Sequence, residues 1–235
     1  MKIKRINVTH QGVALIIEYD KKVYEPGLLT RTLSDLMEVM PGDRVIDVGC
    51  GTGYLGIMAS LLGASEVIAI DPLPEAVIWT QHNSRVNGIN NLTVILGDAL
   101  DPVEDGRADL ILSLPPQMPY PTNFNRCRYG GSDGTDVILK IIKQSSFILK
   151  NKWARLFLVH SALAHPAKIR NAFLQWGFRW EVIKTVEKEL DPDDLNNLTP
   201  RLTDYLLYLA KLGIVEINKR DGHYYYPVWF YRAFL

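Results

Sequence analysis

Three aspartates each stand at the end of a short apolar segment within the first hundred residues. Asp47 lies in "VIDVG", Asp71 closes "EVIAID" and Asp98 follows "LTVILG". Continuous apolar segments of this length are typical of buried parallel strands, and ligands of such sheets bind outside the carboxyl ends of the strands. Carboxylates gathered at that edge accept hydrogen bonds from hydroxyl and amino groups and attract positive charge. The spacing therefore predicts a site for a cationic ligand that carries hydroxyl groups.

A glycine-rich turn follows the first of these strands, in "VIDVGCGTGYLG". Gly49, Gly51 and Gly53 allow backbone conformations that a side chain would forbid, and they let a ligand approach the backbone. A dinucleotide site would read GxGxxG and hold a pyrophosphate, whereas this turn reads GxGxG and follows Asp47. A carboxylate at that position suits an amine-bearing ligand better than a pyrophosphate. Asp71 lies 22 residues after Gly49, where an acid commonly accepts the hydroxyls of a ribose.

The residues beside these acids complete the candidate site. Asp98 supplies a further acceptor where the rim of an adenine would lie, although it could simply begin a turn. Asp71 could cap the helix that follows it, since Pro72 suits a first helical turn, and capping is compatible with ribose binding. Cys50 fills space inside the glycine turn and contributes through its backbone.

Strand-like and helix-like segments alternate through the middle of the chain, which predicts a doubly wound α/β fold with a mostly parallel sheet. We expect seven strands, the last of them antiparallel and formed by "HYYYPVWFYRAF" after a helix in "RLTDYLLYLAKLG". An N-terminal β-hairpin is predicted from "VALIIEY", a turn at "DKK" and "VYEP".

The length and the absence of linkers predict a single domain over residues 1–235. Its parts are an N-terminal hairpin in 1–28, a ligand-binding core in 29–190, and a C-terminal helix and hairpin in 191–235 that complete the sheet.

The composition is that of an ordinary globular protein, with 47% hydrophobic and 22% charged residues. Lys and Arg together number 26, as do Asp and Glu, so the net charge gives no footprint for tight nucleic-acid binding. Cys50 and Cys127 form no metal-binding pattern, and we predict no metal site. The apolar run after the charged N-terminus is too short for a signal peptide or a membrane span, so a cytoplasmic location is expected.

The glycine turn and the three strand-end aspartates resemble those of the class I S-adenosylmethionine-dependent methyltransferases, over nearly the whole chain. The resemblance implies S-adenosylmethionine as the cofactor, with the turn 49–53 packed against its methionine part and Asp47 near its amino group. It also implies that Asp71 binds the ribose, and that Asp98 and the backbone of Ala99 bind the adenine.

Two further segments, "VYEPGLLT" and "RYGGSDGTDVI", resemble the HemK or PrmC class, which methylates glutamine side-chain amides, and relatives that act on nucleobase amino groups. The resemblance implies that Tyr24, Pro26 and Thr30 flank the cofactor. These three residues are equally compatible with a strand end and a helix N-cap.

The candidate catalytic loop, at the end of the fourth parallel strand, departs from that family. The family reads Asn-Pro-Pro-Tyr, and its asparagine orients the acceptor nitrogen; here the positions are Leu114, Pro115, Pro116 and Gln117. The two prolines keep the turn rigid, but leucine offers no hydrogen bond. The acceptor could be positioned by Gln117, by the Pro115 carbonyl or by the apolar surface of Leu114. Alternatively, Leu114 ends the core of its strand and Gln117 is a surface residue.

We therefore predict a methyltransferase whose acceptor is a small molecule or a protein side chain, with nucleic acid less favoured and the oligomeric state open. One alternative is a HemK- or PrmC-like amide or nucleobase methyltransferase, and a second is a non-catalytic S-adenosylmethionine-binding scaffold. The loop 123–128 carries Arg126 and Arg128, which could meet a carboxylate or phosphate of the substrate or could simply be exposed.

Overall fold

The computed structural model describes residues 3–10, 12–103, 107–123, 125–149 and 151–235. Its strands are β1 (Lys4–His10), β2 (Val13–Tyr19), β3 (Arg44–Val48), β4 (Glu66–Asp71), β5 (Leu92–Leu96), β6 (Leu110–Ser113), β7 (Arg155–Ser161), β8 (Arg179–Leu190), β9 (Asn218–Arg220) and β10 (His223–Phe234). Its helices are α1 (Leu28–Leu36), α2 (Tyr54–Leu61), α3 (Pro74–Val86), α4 (Asp136–Ile148), α5 (Pro166–Gln175), α6 (Pro192–Leu198) and α7 (Leu202–Lys211).

The chain divides into two compact units. The first comprises Met1–Leu114, Gln144–Leu158 and Ala233–Leu235, and the second comprises Pro115–Lys143 and Val159–Arg232. Whether residues 1–235 form a single domain with the boundaries predicted above stays a prediction.

In the first unit, parallel strands lie in the order β5-β4-β3-β6-β7. Strand β6 is wholly buried, and β3 is buried from its second residue onward. Burial on both faces explains why these segments read as continuous apolar runs. Because the strands are parallel, their carboxyl ends, and the loops that follow them, share one edge of the sheet.

In the second unit, β10 lies next to β8, and the short strand β9 pairs with β10 in an antiparallel hairpin. Two ion pairs give the direction of β10 against β8. His223 contacts Glu189 at 2.6 Å and Arg232 contacts Glu181 at 2.7 Å. The residue numbers therefore rise along β10 in the direction in which they fall along β8. The last long strand is therefore antiparallel to its neighbour.

The doubly wound α/β class predicted from the sequence is confirmed, including the antiparallel last strand. Two details differ from the prediction. Helix α1 ends at Leu36, because Met37 is extended, although the apolar spacing continues to Met40. Helix α6 was not anticipated, and its first turn is capped by the Asp191 side chain, which accepts from the backbone N–H of Asp193 at 2.9 Å.

An N-terminal hairpin is present, but its strands are not the predicted pair. Strand β2 pairs with β1, from Lys4 opposite Tyr19 to His10 opposite Val13, while residues 23–26 form no strand. The Asp20 carboxylate accepts from the backbone N–H of Lys22 at 2.9 Å and so turns the chain after β2. The charged segment before β2 therefore supplies the partner strand.

No helix in the described ranges is long and apolar enough to cross a membrane.

Candidate functional site

The glycine turn lies between β3 and α2, in the first unit, and is held by β4. The backbone N–H groups of Gly49 and Cys50 both donate to the carbonyl of Ile70, at 2.8 and 3.1 Å. Gly49, Gly51 and Gly53 all have positive φ, at 78°, 56° and 82°. A Cβ at either of the first two would meet nothing within 4 Å, whereas one at Gly53 would lie 2.9 Å from a methyl of Thr80. The first two glycines thus border open space, and the third permits close packing of the turn against α3.

Asp71 ends β4 and is buried beside this turn. Its Oδ2 accepts from the backbone N–H of Gly51 at 3.0 Å, and its Oδ1 accepts from that of Leu73 at 3.0 Å. Burial raises the pKa of the Asp71 carboxyl above its usual range, although both backbone hydrogen bonds oppose that effect. Each carboxylate oxygen has a further lone pair, so a ribose hydroxyl can still be accepted.

Asp47, within β3, points at the first turns of α2. Its Oδ2 accepts from the backbone N–H of Gly56 at 2.9 Å, and only 1% of the residue is exposed. Burial raises the pKa of Asp47 to about 7, and the nearby charge of Asp71 contributes in the same direction. Within the part of the chain that the structure describes, neither carboxylate forms an ion pair. When ionised, these two carboxylates leave negative charge without a cationic partner among the described residues, which fits a ligand with an ammonium and a sulfonium group and opposes a pyrophosphate.

Asp98 lies just beyond the end of β5. Asp71 pairs with Leu96 in the β4–β5 register, and the backbone N–H of Gly97 donates to the Asp71 carbonyl at 3.0 Å. Asp98 is exposed, while the following Ala99 is buried with a φ of 53°. The strand ends thus bring Asp71 and Asp98 to neighbouring positions, as the spacing predicts. Their contacts with a cofactor stay a prediction.

The residues predicted around the cofactor have the following environments. Tyr24 is exposed and lies outside any strand, so it is not a strand end. Thr30 lies inside α1, whose N-cap is Gly27, so Thr30 is not the helix N-cap. Pro26 is buried between β2 and α1.

The two other predicted residues lie inside the glycine turn and directly after β4. Pro72 is exposed and precedes α3, which begins at Pro74 after the N-cap Leu73; the expectation that Pro72 occupies its first turn was wrong. Cys50 is buried, with its Sγ 3.3 Å from Thr80 Oγ1, consistent with a space-filling role.

Asn83, on α3, links the glycine turn to the hairpin and was missed by the sequence analysis. Its amide is paired with both backbone groups of Glu18 on β2, at 2.9 Å each, and also donates to the Thr52 carbonyl at 2.9 Å. Four residues on, Asn87 pairs in the same manner with Ile16 on β2. The available signal was an asparagine inside the helix, where this residue is disfavoured, followed four residues later by a second asparagine at the C-cap.

The candidate acceptor loop begins beside the glycine turn. Ser113 pairs with Val48 in the β3–β6 register, and its hydroxyl donates to the Val48 carbonyl at 3.0 Å. Leu114 and Gly49, the next residues of these two strands, therefore leave the sheet side by side. Leu114 is only partly buried, so its side chain is not enclosed in the core of the strand.

Gln117, in the second unit, uses its side-chain amide to hold the loop against β7. Its Nε2 donates to the carbonyls of Val159, at 3.2 Å, and Pro115, at 3.3 Å, while its Oε1 accepts from the backbone N–H of Ser161. The side chain thus pairs with the edge of a strand as a backbone segment would. It is not a free surface residue. The loop 115–117 is rigid both through its prolines and through this anchor.

Across the described residues, no group of three or more His, Cys, Asp or Glu side chains could hold a metal ion.

Comparison with known proteins relates this site to methyltransferases. Residues 29–113 match the family model of the ribosomal protein L11 methyltransferase (PrmA). The L11 methyltransferase of Symbiobacterium thermophilum is 48% identical over 86 residues, which are 37% of this chain and 27% of that protein. The chain spans about a quarter of the length of the L11 methyltransferases that it matches.

Longer matches extend the similarity beyond the glycine turn. A Methanocaldococcus jannaschii protein, described provisionally as a protein N5-glutamine methyltransferase, is 29% identical over 171 residues, covering 68% of this chain and 83% of that protein. A 16S rRNA methyltransferase of T. thermophilus, solved with AdoMet and guanosine, superposes with a TM-score of 0.60 at 18% identity, covering 77% of this chain and 47% of that one. The resemblance to class I S-adenosylmethionine-dependent methyltransferases is therefore confirmed, by sequence over residues 29–113 and by fold over most of the chain.

Proposed function

We propose that this chain transfers a methyl group from S-adenosylmethionine to an acceptor bound at Leu114–Gln117, the acceptor being a small molecule or a protein side chain. The observation that carries the proposal is the register between Val48 and Ser113, because it sets Leu114 beside Gly49. The glycine turn and the first residue of the acceptor loop then share one edge of the sheet.

When bound, S-adenosylmethionine would supply a methyl carbon on a positively charged sulfur; transfer of that carbon to an acceptor lone pair would break the carbon–sulfur bond and leave the sulfur as a neutral thioether. The chain's own residues bind and align. Asp47 and Asp71 provide the negative charge that attracts the ammonium and sulfonium groups, and Gly49 and Gly51 leave room for them against the backbone. The prolines and Gln117 keep the acceptor loop in one conformation, and alignment of this kind can lower a barrier by about 7 to 11 kcal/mol.

Isothermal titration calorimetry with S-adenosylmethionine tests the cofactor half of the proposal. Transfer of labelled methyl into separate protein, RNA and metabolite fractions tests the other half and identifies the acceptor class. Tight cofactor binding with label in no fraction would favour a scaffold. Absence of cofactor binding would contradict both the methyltransferase and the scaffold.

A second candidate function is methylation of a glutamine side-chain amide. It is favoured by the similarity to the M. jannaschii protein, which covers 83% of that protein. Leu114 stands against it, because leucine cannot accept a hydrogen bond from the amide nitrogen. A cytoplasmic location stays a prediction.

Substitution Leu114→Asn separates these candidates. If the missing acceptor excludes glutamine, the variant should gain at least about fivefold in methyl transfer to a glutamine-containing peptide, since one added hydrogen bond to a reacting group contributes about 1 kcal/mol or more. Incorporation of labelled methyl into the peptide measures the gain. Leu114→Ala is the control, because it creates room without an acceptor. An equal gain in both variants would show that bulk, not the missing hydrogen bond, is responsible.

A further inference from the structure

The segment 130–134, which reads "GGSDG" and precedes α4, packs directly on the backbone of the candidate acceptor loop. Gly130 and Gly134 are both buried. A Cβ at Gly130 would lie 2.6 Å from Gln117 Cα and 2.9 Å from the Pro116 carbonyl oxygen, and one at Gly134 would lie 2.5 Å from the Gln117 carbonyl oxygen. Since these neighbours are backbone atoms, they cannot rotate away from an added methyl group as the end of a side chain can. The two glycines therefore permit an approach that a side chain would prevent.

Backbone hydrogen bonds join the same segment to the residues that follow Gln117. The N–H of Met118 donates to the Arg128 carbonyl at 2.7 Å, and the N–H of Gly130 donates to the Met118 carbonyl at 3.0 Å. The N–H of Tyr120 donates to the Gly131 carbonyl at 3.1 Å. A displacement of the segment 130–134 is therefore transmitted to the chain that leaves the acceptor loop.

Asp133 fixes this segment to helix α5. Its Oδ1 accepts from the Thr135 hydroxyl at 2.6 Å, its Oδ2 accepts from the Lys168 ammonium, and its backbone carbonyl accepts from the N–H of His165 at 3.0 Å. Burial raises the pKa of the Asp133 carboxyl, but the hydrogen bonds from Lys168 and Thr135 outweigh burial and hold the pKa below its usual range. The carboxylate is therefore charged at neutral pH, and the anchor is present there.

Gln117 is also held by β7, in the same unit. Its side-chain amide is hydrogen-bonded to the backbone of Val159 and Ser161. A Cβ at Gly134 would also lie 2.9 Å from the Cβ of Ala164, which follows β7. The backbone of the acceptor loop thus has two fixed supports, β7 and the segment 130–134, and an added methyl group at the second support must push the loop.

We propose that Gly130 and Gly134 are positioning residues for methyl transfer, because they set the place of the acceptor loop through direct contact with its backbone. The inference rests on the proposed function and adds residues that act through Pro116 and Gln117. Carbon atoms in contact are about 3.5 to 4.0 Å apart, so an alanine at position 130 must displace Gln117 Cα by roughly 1 Å. A misplacement of that size costs about 100-fold in rate where donor and acceptor must be aligned.

Gly134→Ala and its matched control Gly177→Ala test the proposal. The φ angles of Gly134 and Gly177 are 79° and 78°, so alanine brings similar backbone strain at both, but a Cβ at Gly177 would meet nothing within 4 Å. The rate is that of labelled methyl transfer, at saturating S-adenosylmethionine, into the fraction that the unsubstituted protein labels. We expect Gly134→Ala to lower this rate by about 100-fold and Gly177→Ala to leave it within about twofold. Calorimetric affinity for S-adenosylmethionine should be unchanged in both variants.

Gly130→Ala is a second variant, because the φ of Gly130 is not positive and alanine there brings the contact without the strain. It should lower the transfer rate as Gly134→Ala does. Thermal unfolding of each variant shows whether it is folded at the assay temperature, so that a displaced loop is distinguished from a lost fold.

Hydrogen exchange followed by NMR supplies a measurement that needs no acceptor. The N–H of Ser161 donates to Gln117 Oε1, so its protection reports whether Gln117 stays on β7. We expect exchange at Ser161 to be faster by about fivefold or more in Gly134→Ala and Gly130→Ala, the factor that the loss of one hydrogen bond gives, and unchanged in Gly177→Ala.

Retention of both the transfer rate and the Ser161 protection in Gly134→Ala and Gly130→Ala would overturn the positioning role, as would equal losses in Gly177→Ala. If the unsubstituted protein labels no fraction, the proposed function fails and the positioning role fails with it. Labelling by the unsubstituted protein that both alanine variants retain overturns the positioning role alone.

Discussion

Substitution Asp47→Asn is expected to weaken binding of S-adenosylmethionine by roughly 10- to 100-fold at pH 8, the effect of removing a hydrogen bond to a charged group. The variant keeps an oxygen for the Gly56 N–H and nearly the same volume, so the turn should retain its shape. What it loses is negative charge in a buried site that holds no compensating cation in the described structure. Calorimetric titration at pH 8 measures the change.

The same substitution should stabilise the protein without ligand. The pKa of Asp47 is about 7 in the folded state, against about 4 for an exposed aspartate. The folded state therefore binds more protons between these values, and the free energy of unfolding falls as pH rises from about 4 to about 7. Three pKa units correspond to a loss on the order of 4 kcal/mol, which Asp47→Asn avoids.

Denaturant unfolding of both proteins at several pH values between 4 and 8 checks this expectation. The variant should be the more stable protein at pH 8, with the difference shrinking toward pH 4. If the free energies of unfolding of the unsubstituted protein and of Asp47→Asn differed by the same amount at every pH from 4 to 8, a buried Asp47 that binds a proton in this range would be contradicted.

Substitution Asn83→Ala is expected to destabilise the protein by about 3 kcal/mol or more. Asn83 is fully buried, and its removal leaves both backbone groups of Glu18 and the Thr52 carbonyl without this partner. A buried polar group without a partner costs about 1 to 3 kcal/mol. Because Thr52 lies within the glycine turn, cofactor affinity should also fall. Chemical denaturation and calorimetric titration give the two values.

Asn87→Ala is the matched control for this prediction. Asn87 pairs with Ile16 on the same strand and donates to the Asn83 carbonyl, forms no hydrogen bond to the glycine turn among the described residues, and is only partly buried. We expect it to cost about 1 kcal/mol and to leave cofactor affinity unchanged. A loss of affinity equal to that of Asn83→Ala would show that the hairpin contact, and not the link to Thr52, supports the turn.

Local patterns in the chain were sufficient for the parallel strands, the glycine turn and the three aspartates. Apolar runs such as that of β3 identify buried strands because burial on both faces demands apolar residues throughout. The parallel order then places Asp47, Asp71 and Asp98 at strand ends that share one edge. These features depend on residue type and chain order, which is why a linear sequence reveals them.

The pairing of β2 and the hydrogen-bond partners of Gln117 and Asn83 were decided only by tertiary contacts. The partner of β2 could not be inferred, since a charged segment such as β1 satisfies a hairpin as well as residues 23–26 would. From the sequence, Gln117 is interpreted as a surface residue, whereas in the structure its side-chain amide is hydrogen-bonded to β7. Asn83 is only a poor helix former in the sequence, whereas in the structure its side chain is hydrogen-bonded to the backbone of β2. A side-chain amide has no preferred partner along the chain, so its role is determined only when folding brings an unpaired backbone group within hydrogen-bond distance.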